Sequence, residues 1–231
     1  MSNSSSVVKQ NFIHRLARDY SPLVLIMVAV FIAIFVIGAA TAPNFLTVLN
    51  IKTILRDAAI VGIMAIGLTF VTLSGNFFLL SMKETAALSI IAFATSMSAG
   101  YGFELSFLFT MVIAMAAGAI QGLLIGLGGN PIVVTLGAAG LFFGISSWWS
   151  DNLVVSFRRP HGAEWLGSGS FLGLPNITIA FIIIAIFAEF VLRRTSFGRQ
   201  VYLVGSNRAA GRATGHENLS MAIKVCIIAS V

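Results

Sequence analysis

The sequence predicts an all-α fold, a polytopic transmembrane helical bundle with about six full spans and a truncated seventh. Two observations carry this prediction. Hydrophobic residues make up 58% of the 231-residue chain and charged residues only 10%, whereas soluble domains carry about 25% charged residues. Apolar runs also recur at close to the ~20 residues that a helix needs to cross a bilayer. A soluble core of this size could not bury so much apolar surface, which excludes an ordinary soluble enzyme.

Six runs have the length and composition of membrane-spanning helices. They lie near 23–42, 57–74, 85–100, 106–127, 132–149 and 176–192. The first run ends at Ala40-Thr41-Ala42, which resembles the cleavage site of a signal peptide. Its apolar stretch is longer than the roughly 7–15 residues of a signal-peptide core, so we expect an uncleaved first span.

The last apolar run begins at Ala222 and stops with the sequence at Val231. Ten residues rise only about 15 Å as a helix, which is half of the roughly 30 Å hydrocarbon core. We therefore expect this sequence to be a fragment of a longer protein. The alternative is that the last segment does not span the membrane.

Basic residues in the connecting segments indicate the orientation. With the N-terminus inside, the segments 1–22, 75–84, 128–131 and 193–221 are cytoplasmic and carry nine Lys and Arg residues, against four in the external loops. The positive-inside rule therefore predicts a cytoplasmic N-terminal segment at 1–22 and a transmembrane domain at 23–231 that includes a cytoplasmic loop at 193–221.

Glycines recur at four-residue spacing in two of the predicted spans. Gly118, Gly122 and Gly126 lie in the fourth span, and Gly140 and Gly144 repeat the spacing in the fifth. Small residues four apart share one helix face and allow two helices to approach closely in lipid. We expect these glycines to form helix-packing faces, and the pattern alone favours a static face over a moving seam.

No motif for catalysis, nucleotide hydrolysis or metal binding occurs in the chain. HExxH, CxxC, GxSxG and GxxxxGK[ST] are all absent, and a single cysteine, Cys226, cannot form an intrachain disulfide. The predicted topology separates His161 from His14 and His216. We expect no catalytic residue, no cofactor and no metal. We also expect no nucleic-acid partner, because the net charge of +6 comes from loops beside spans rather than from one basic face.

Charged side chains are nearly absent from the predicted spans. Glu189 is the acidic residue nearest the interior of a span, and Arg193 follows it at i+4, so the two can form an ion pair near the membrane surface. An ion-coupled secondary carrier normally places ionisable groups or unwound backbone at mid-depth. This class of transporter is therefore a less favoured alternative.

Three stretches carry a resemblance to a known family. The first comprises 44–50 and 62–71, and the second is Asn-Pro-Ile-Val-Val-Thr-Leu-Gly at 130–137. The third has Thr-Ser-Phe-Gly-Arg from Thr195, Val-Gly-Ser-Asn-Arg-Ala-Ala from Val204, and Arg-Ala-Thr-Gly from Arg212. These stretches resemble the ribose-type permease family, the membrane subunits of ABC importers for simple sugars. The related branched-chain amino-acid permeases fit the third stretch less well.

The resemblance implies a function and a set of partners. It implies the permease subunit of an ATP-driven importer in the bacterial inner membrane, which moves a sugar or similar small polar solute inward by alternating access. It implies an ABC ATPase subunit, an external solute-binding protein and a second permease copy or paralogue, besides membrane lipid, as partners. Covalent chemistry would then occur only in the ATPase subunit.

Within 193–221, a short helix fits the residue pattern. Asn207 can cap a helix over 208–214, and Gly215 can end it. The resemblance implies that this is a coupling helix seated in a cleft of the ATPase subunit. The residues that it assigns to coupling are Gly205, Asn207, Ala209, Ala210, Arg212 and Gly215.

The sequence departs from the family pattern in two places. The family motif G-G-I-D-L-S-V-G is replaced at 74–84 by Ser-Gly-Asn-Phe-Phe-Leu-Leu-Ser-Met-Lys-Glu, in which Leu79 or a neighbour takes the place of the motif's Asp and Lys83-Glu84 lies beyond it. His216 replaces an isoleucine. This departure leaves a second alternative open, namely a truncated, non-transporting paralogue or membrane scaffold.

Overall fold

The computed structural model describes residues 22–75, 78–155, 165, 167, 169–171, 173–206 and 218–231. Contacts divide the chain into two units, Met1–Ile54 and Leu55–Val231. The described part of the chain contains eight helices and one short β-ribbon, so the predicted all-α, polytopic architecture is confirmed apart from that ribbon.

The first unit contains α1, Pro22–Thr41, and the start of α2, Val48–Leu73. No residue of α1 is buried, as expected of a helix whose whole circumference is apolar. The turn after α1 folds back on it, because the ring of Phe45 packs against Phe35 with centroids 5.3 Å apart. Asn50 closes this turn by donating from Nδ2 to the carbonyl of Phe45 at 2.7 Å.

The second unit contains the rest of α2 and six further helices. These are α3 Met82–Ser98, α4 Phe103–Gly126, α5 Pro131–Trp149, α6 Asn176–Arg194, α7 Ser196–Ser206 and α8 Asn218–Ser230. Local signals fix several of their ends. Asn130 caps α5 by accepting a hydrogen bond from the Ile132 amide at 3.0 Å, and Gly128, at φ +104°, follows the end of α4.

The number of helices with full spanning length differs from the prediction. Five described helices, α1, α2, α4, α5 and α6, are long and apolar enough to cross a membrane. The predicted span at 85–100 is α3, which has 17 residues and rises about 26 Å. It is short because α2 ends at Leu73 and α3 begins only at Met82. The segment 74–81 between them is called the break below. At its other end α3 stops before Gly100, at φ +91°.

Two elements were not predicted. Helix α7 lies in the segment predicted as a loop with a single short helix further on. Its apolar residues Phe197, Val201 and Val204 recur at i, i+4 and i+7 and give it one apolar face, and Thr195 Oγ1 accepts from the Gly198 amide at 3.2 Å. The ribbon pairs β1, Ser170–Phe171, antiparallel with β2, Leu174–Pro175.

The main hydrophobic cluster lies where α2, α4, α6, α7 and α8 meet. Its buried members are Phe70, Val71, Leu79, Ile125, Ala188, Leu192, Val201, Val204, Met221, Ala222, Val225 and Cys226. A smaller cluster of Leu88, Ala117 and Phe142 joins α3, α4 and α5. The segment that holds the predicted coupling residues begins and ends at helices of the main cluster.

Candidate functional site

The glycine row of α4 packs directly against α8. A Cβ built on Gly118, Gly122 or Gly126 would come within 3 Å of α8 backbone atoms. The closest of these atoms are, in that order, the Cys226 carbonyl oxygen at 2.6 Å, Ile223 Cα at 2.5 Å and Leu219 Cα at 2.7 Å. The contacts advance four residues at a time along α4 and three or four along α8, in opposite directions, so α4 and α8 form an antiparallel seam in which the α4 glycines face the α8 backbone.

The glycines of α5 form no such contact. A Cβ on Gly140 or Gly144 would meet nothing within 4 Å among the described residues. The packed face of α5 is marked instead by Thr135, Phe142 and Ser146, which are its buried residues. Equal spacing therefore accompanies a packing seam in α4, whereas no described residue covers the glycine face of α5, and the packing role of Gly140 and Gly144 stays a prediction.

Of the predicted coupling residues, the structure describes Gly205, near the end of α7. A Cβ on Gly205 would overlap the carbonyl oxygen of Leu73 and lie 3.3 Å from the amide nitrogen of Gly75. Gly75 has φ +81°, a left-handed conformation that favours glycine. The end of α7 therefore rests on the turn that ends α2. Asn207, Ala209, Ala210, Arg212 and Gly215, the predicted helix at 208–214 and His216 lie outside the described residues.

Residues 205–215, which hold the predicted coupling residues, are called the coupling segment below. The helices on both sides of this segment pack in the same hydrophobic cluster. Val201 and Val204 of α7 and Met221, Ala222 and Val225 of α8 all belong to the main hydrophobic cluster. Val201 and Val225 are completely buried. Residues 207–217 therefore connect two helices that are each packed against the body of the second unit.

A buried polar contact joins the break at 74–81 to α4. The Ser81 hydroxyl donates to Oε1 of Gln121, and Nε2 of Gln121 donates to the Ala117 carbonyl at 3.3 Å. Ser81 and Gln121 are both completely buried. Burying a carboxamide without partners is costly, so a glutamine in this glycine- and alanine-rich helix was a signal that the sequence analysis missed.

In the stretch 74–84, which departs from the family motif, an apolar side chain is buried near the place of the motif's acidic residue. Leu79, at or beside the place of the missing acid, is buried in the main cluster. Lys83 points outward with a side chain that is 91% exposed, and its Nζ lies 4.0 Å from Glu84. The break thus holds no buried charge among its described residues.

A cavity of about 610 Å³ lies between α2, α3, α4, α6 and α8. Its lining is mostly apolar and includes the hydroxyls of Thr85, Ser89, Thr110 and Ser230, with no Asp, Glu, Lys or Arg among the described residues. Thr85, Ser89 and Thr110 each donate to a carbonyl of their own chain segment, at 2.8 to 3.0 Å. In this arrangement the three hydroxyl oxygens keep lone pairs that can accept hydrogen bonds from a guest.

The predicted ion pair is present at the end of α6. Arg193 Nε contacts Glu189 Oε1, and both side chains are more than half exposed. An exposed i,i+4 pair contributes only about 0.3–0.5 kcal/mol, so this pair is a minor stabiliser of the helix end.

Known proteins match most of the chain. A family model described as "Branched-chain amino acid transport system / permease component" matches residues 50–231. The chain is 29% identical over 185 residues to "Autoinducer 2 import system permease protein LsrC" of Salmonella typhimurium (strain LT2), covering 80% of this chain and 53% of that protein. It is 32% identical over 175 residues to "Ribose import permease protein RbsC" of Bacillus subtilis (strain 168), covering 75% of this chain and 54% of that protein.

The chain spans about half the length of these relatives. A third relative, the permease with the autoinducer 2 description from Enterobacter sp. (strain 638), is 31% identical over 185 residues, which is 80% of this chain and 53% of that protein. No solved structure matches significantly.

Proposed function

We propose the function from one premise: this chain belongs to the permease family described as "Branched-chain amino acid transport system / permease component". The resemblance to sugar-import permeases that the three sequence stretches predict is confirmed by the autoinducer 2 and ribose import relatives. Five apolar helices of spanning length agree with a multi-pass membrane protein.

The proposed function is that of the permease subunit of an ATP-driven ABC importer for a sugar or similar small polar solute. The observation that carries it is the similarity, over 75% of this chain, to a ribose import permease. In this proposal the protein lies in the bacterial inner membrane with its N-terminus in the cytoplasm. It works with an ABC ATPase subunit, an external solute-binding protein and a second permease copy or paralogue, and it hydrolyses no ATP itself.

In this proposal, residues 205–215 receive the movement of the ATPase subunit. Support comes from the contact of Gly205 with Leu73 and Gly75 and from the burial of α7 and α8 in one cluster. A segment anchored at both ends can pass a push to the spans, because close-packed interiors transmit strain. The spans would then switch solute access from one side to the other.

Copurification with the ATPase subunit tests the coupling assignment. Ala209→Glu and Ala210→Glu each add a charged side chain to the proposed docking segment, and we expect both to lose the ATPase subunit while still accumulating in the membrane. Val154→Glu is the matched control, because Val154 is 95% exposed in a predicted external loop. Retained ATPase docking in both alanine variants would refute the assignment of this segment.

Uptake tests the transport function. We expect proteoliposomes that hold the permease, its ATPase subunit and its binding protein to accumulate labelled ribose or a related pentose only when ATP is supplied. Uptake that persists without ATP and collapses with the proton gradient would instead support an ion-coupled carrier, for which the described cavity lining offers no ionisable side chain.

The departure from the family motif at 74–84 supports a second candidate function. Because Leu79 is buried in the core beside the place of the family's acidic residue, a non-transporting paralogue or scaffold is the alternative. Such a protein would retain ATPase docking but would fail to import any solute that its binding protein holds.

A further inference from the structure

Two routes lead from the coupling segment into the second unit. The first starts at Gly205, where α7 touches the Leu73 carbonyl and the Gly75 amide at the entrance to the 74–81 break. The ring of Phe197, on the same helix, also stacks on Phe70 of α2, with centroids 6.3 Å apart and an angle of 26° between the rings. A displacement of α7 therefore acts directly on the end of α2.

The second route starts at the other end of the segment, in α8. The Cα atoms of Leu219 and Ile223 lie 2.7 Å and 2.5 Å from Cβ positions built on Gly126 and Gly122. At Gly122 the nearest atoms of α8 are all backbone atoms, and at Gly126 the Leu219 side chain packs beside the backbone, with Cδ1 at 2.6 Å. Because no gap exists to absorb motion, a displacement of α8 acts directly on α4.

Gln121 connects the two sets of contacts, because it lies in α4 at the seam and also binds the end of the break. It lies in α4 between Gly118 and Gly122, and its carboxamide accepts the hydrogen bond of Ser81, the residue that precedes α3. Ser81 is also the last residue of the break whose first turn contacts Gly205. The bond therefore ties the far end of the first route to the helix that carries the second.

We propose that Gln121 is a positioning residue for energy coupling, which through Ser81 makes the break and the α4–α8 seam move together when the coupling segment is displaced. The inference rests on the proposed function, because it requires an ATPase subunit that pushes on residues 205–215. In the low-dielectric interior both partners of the bond lack water as a substitute, so its loss removes the polar link between Ser81 and α4 and leaves only apolar packing to hold them together.

The test uses Cys226 as a reporter, since it is the chain's single cysteine and is completely buried in α8 at the seam. The permease is assembled with its ATPase subunit, and the rate of Cys226 alkylation by N-ethylmaleimide is measured without nucleotide and with ATP trapped by vanadate. The probe requires no knowledge of the transported solute. Docking and ATP hydrolysis are measured on the same samples.

In the unaltered protein we expect trapped ATP to change the alkylation rate. Gln121→Leu keeps the size of the side chain and removes the bond, and we expect it to dock and hydrolyse ATP normally while the nucleotide-dependent change shrinks by about threefold or more. Ser81→Ala should do the same, and the double variant should be no worse than either single variant. Ser81→Thr keeps the hydroxyl and should retain the response. Ser106→Ala is the matched control, because Ser106 is a buried hydroxyl of α4 without a hydrogen-bond partner in the described structure.

Each result separates the inference from the proposed function. If the unaltered chain binds no ATPase subunit, the proposed function fails. If docking occurs but the alkylation rate never responds to ATP, or responds fully in Gln121→Leu and Ser81→Ala, only the inference is overturned. It is also overturned if both variants fail to accumulate while Ser106→Ala accumulates normally, since the bond would then be needed for folding rather than for coupling.

Discussion

Replacing Gly122 by alanine is the sharpest test of the α4–α8 seam. The added Cβ would lie 2.5 Å from Ile223 Cα and 2.7 Å from the Ala222 carbonyl oxygen. Packed carbon atoms stay roughly 3.5–4.0 Å apart. Both neighbours are backbone atoms, so no side-chain rotation relieves the contact, and α8 has to retreat by about 1 Å.

The stability change follows from two opposing terms. Overpacking of this kind costs about 1–3 kcal/mol, and alanine recovers about 1 kcal/mol of helix propensity relative to glycine. We therefore expect Gly122→Ala to destabilise the protein by about 1 kcal/mol, which lowers the melting temperature by roughly 2–4 °C for a chain of this size.

Gly140→Ala is the matched control, because a Cβ there meets nothing within 4 Å of the described structure. It gains helix propensity without overpacking, so its melting temperature should rise by about 2–4 °C. Thermal unfolding of both variants in the same detergent measures the difference. A melting temperature for Gly122→Ala equal to or above that of Gly140→Ala would show that the seam is not closed in the native protein.

Three further changes have directions set by the structure. Gly205→Ala places a Cβ onto the Leu73 carbonyl and should lower the melting temperature, whereas Gly137→Ala, with open space around it, should not. Asn130→Ala removes the cap of α5 and should cost about 1 kcal/mol, seen as reduced thermal stability that Asn130→Asp largely recovers. Arg193→Gln removes only an exposed ion pair, so its effect on unfolding should stay below about 0.5 kcal/mol, and a larger loss would show that the pair is shielded from water.

The sequence predicts the spans well because their signals are local. Length and apolar composition decide whether a helix can cross a bilayer, and α1, α5 and α6 begin and end within a few residues of their predicted bounds. Helix α7 was missed although its apolar face can be derived from three residues. Its 11 residues are too few to span, and a basic segment between two spans favoured the interpretation as a loop.

Helix partners are harder to predict than helices. Gly122 and Gly144 have the same four-residue spacing to a neighbouring glycine, yet one touches α8 and the other touches nothing described. Spacing defines a face, but the topology decides what covers that face. The Ser81–Gln121 bond shows the same limit, because the two residues are 40 positions apart, Gln121 belongs to no recognisable motif and Ser81 lies in the stretch that departs from the family motif.

The geometry of the seam bears on whether it slides. If α8 moved by one turn toward the start of α4, one of the three positions that now face glycine would face Ala114, which lies four residues before Gly118 on the same helix face. A seam that has no room for a single Cβ cannot admit this side chain. Sliding would require the helices to separate first, so small displacements of α8 carry α4 with them as one body. The glycine row thus fixes the register of α4 against α8. Any hinge then lies elsewhere in the second unit, where Gly75 contacts Gly205 and Ser81 contacts Gln121 between the end of α2 and the start of α3.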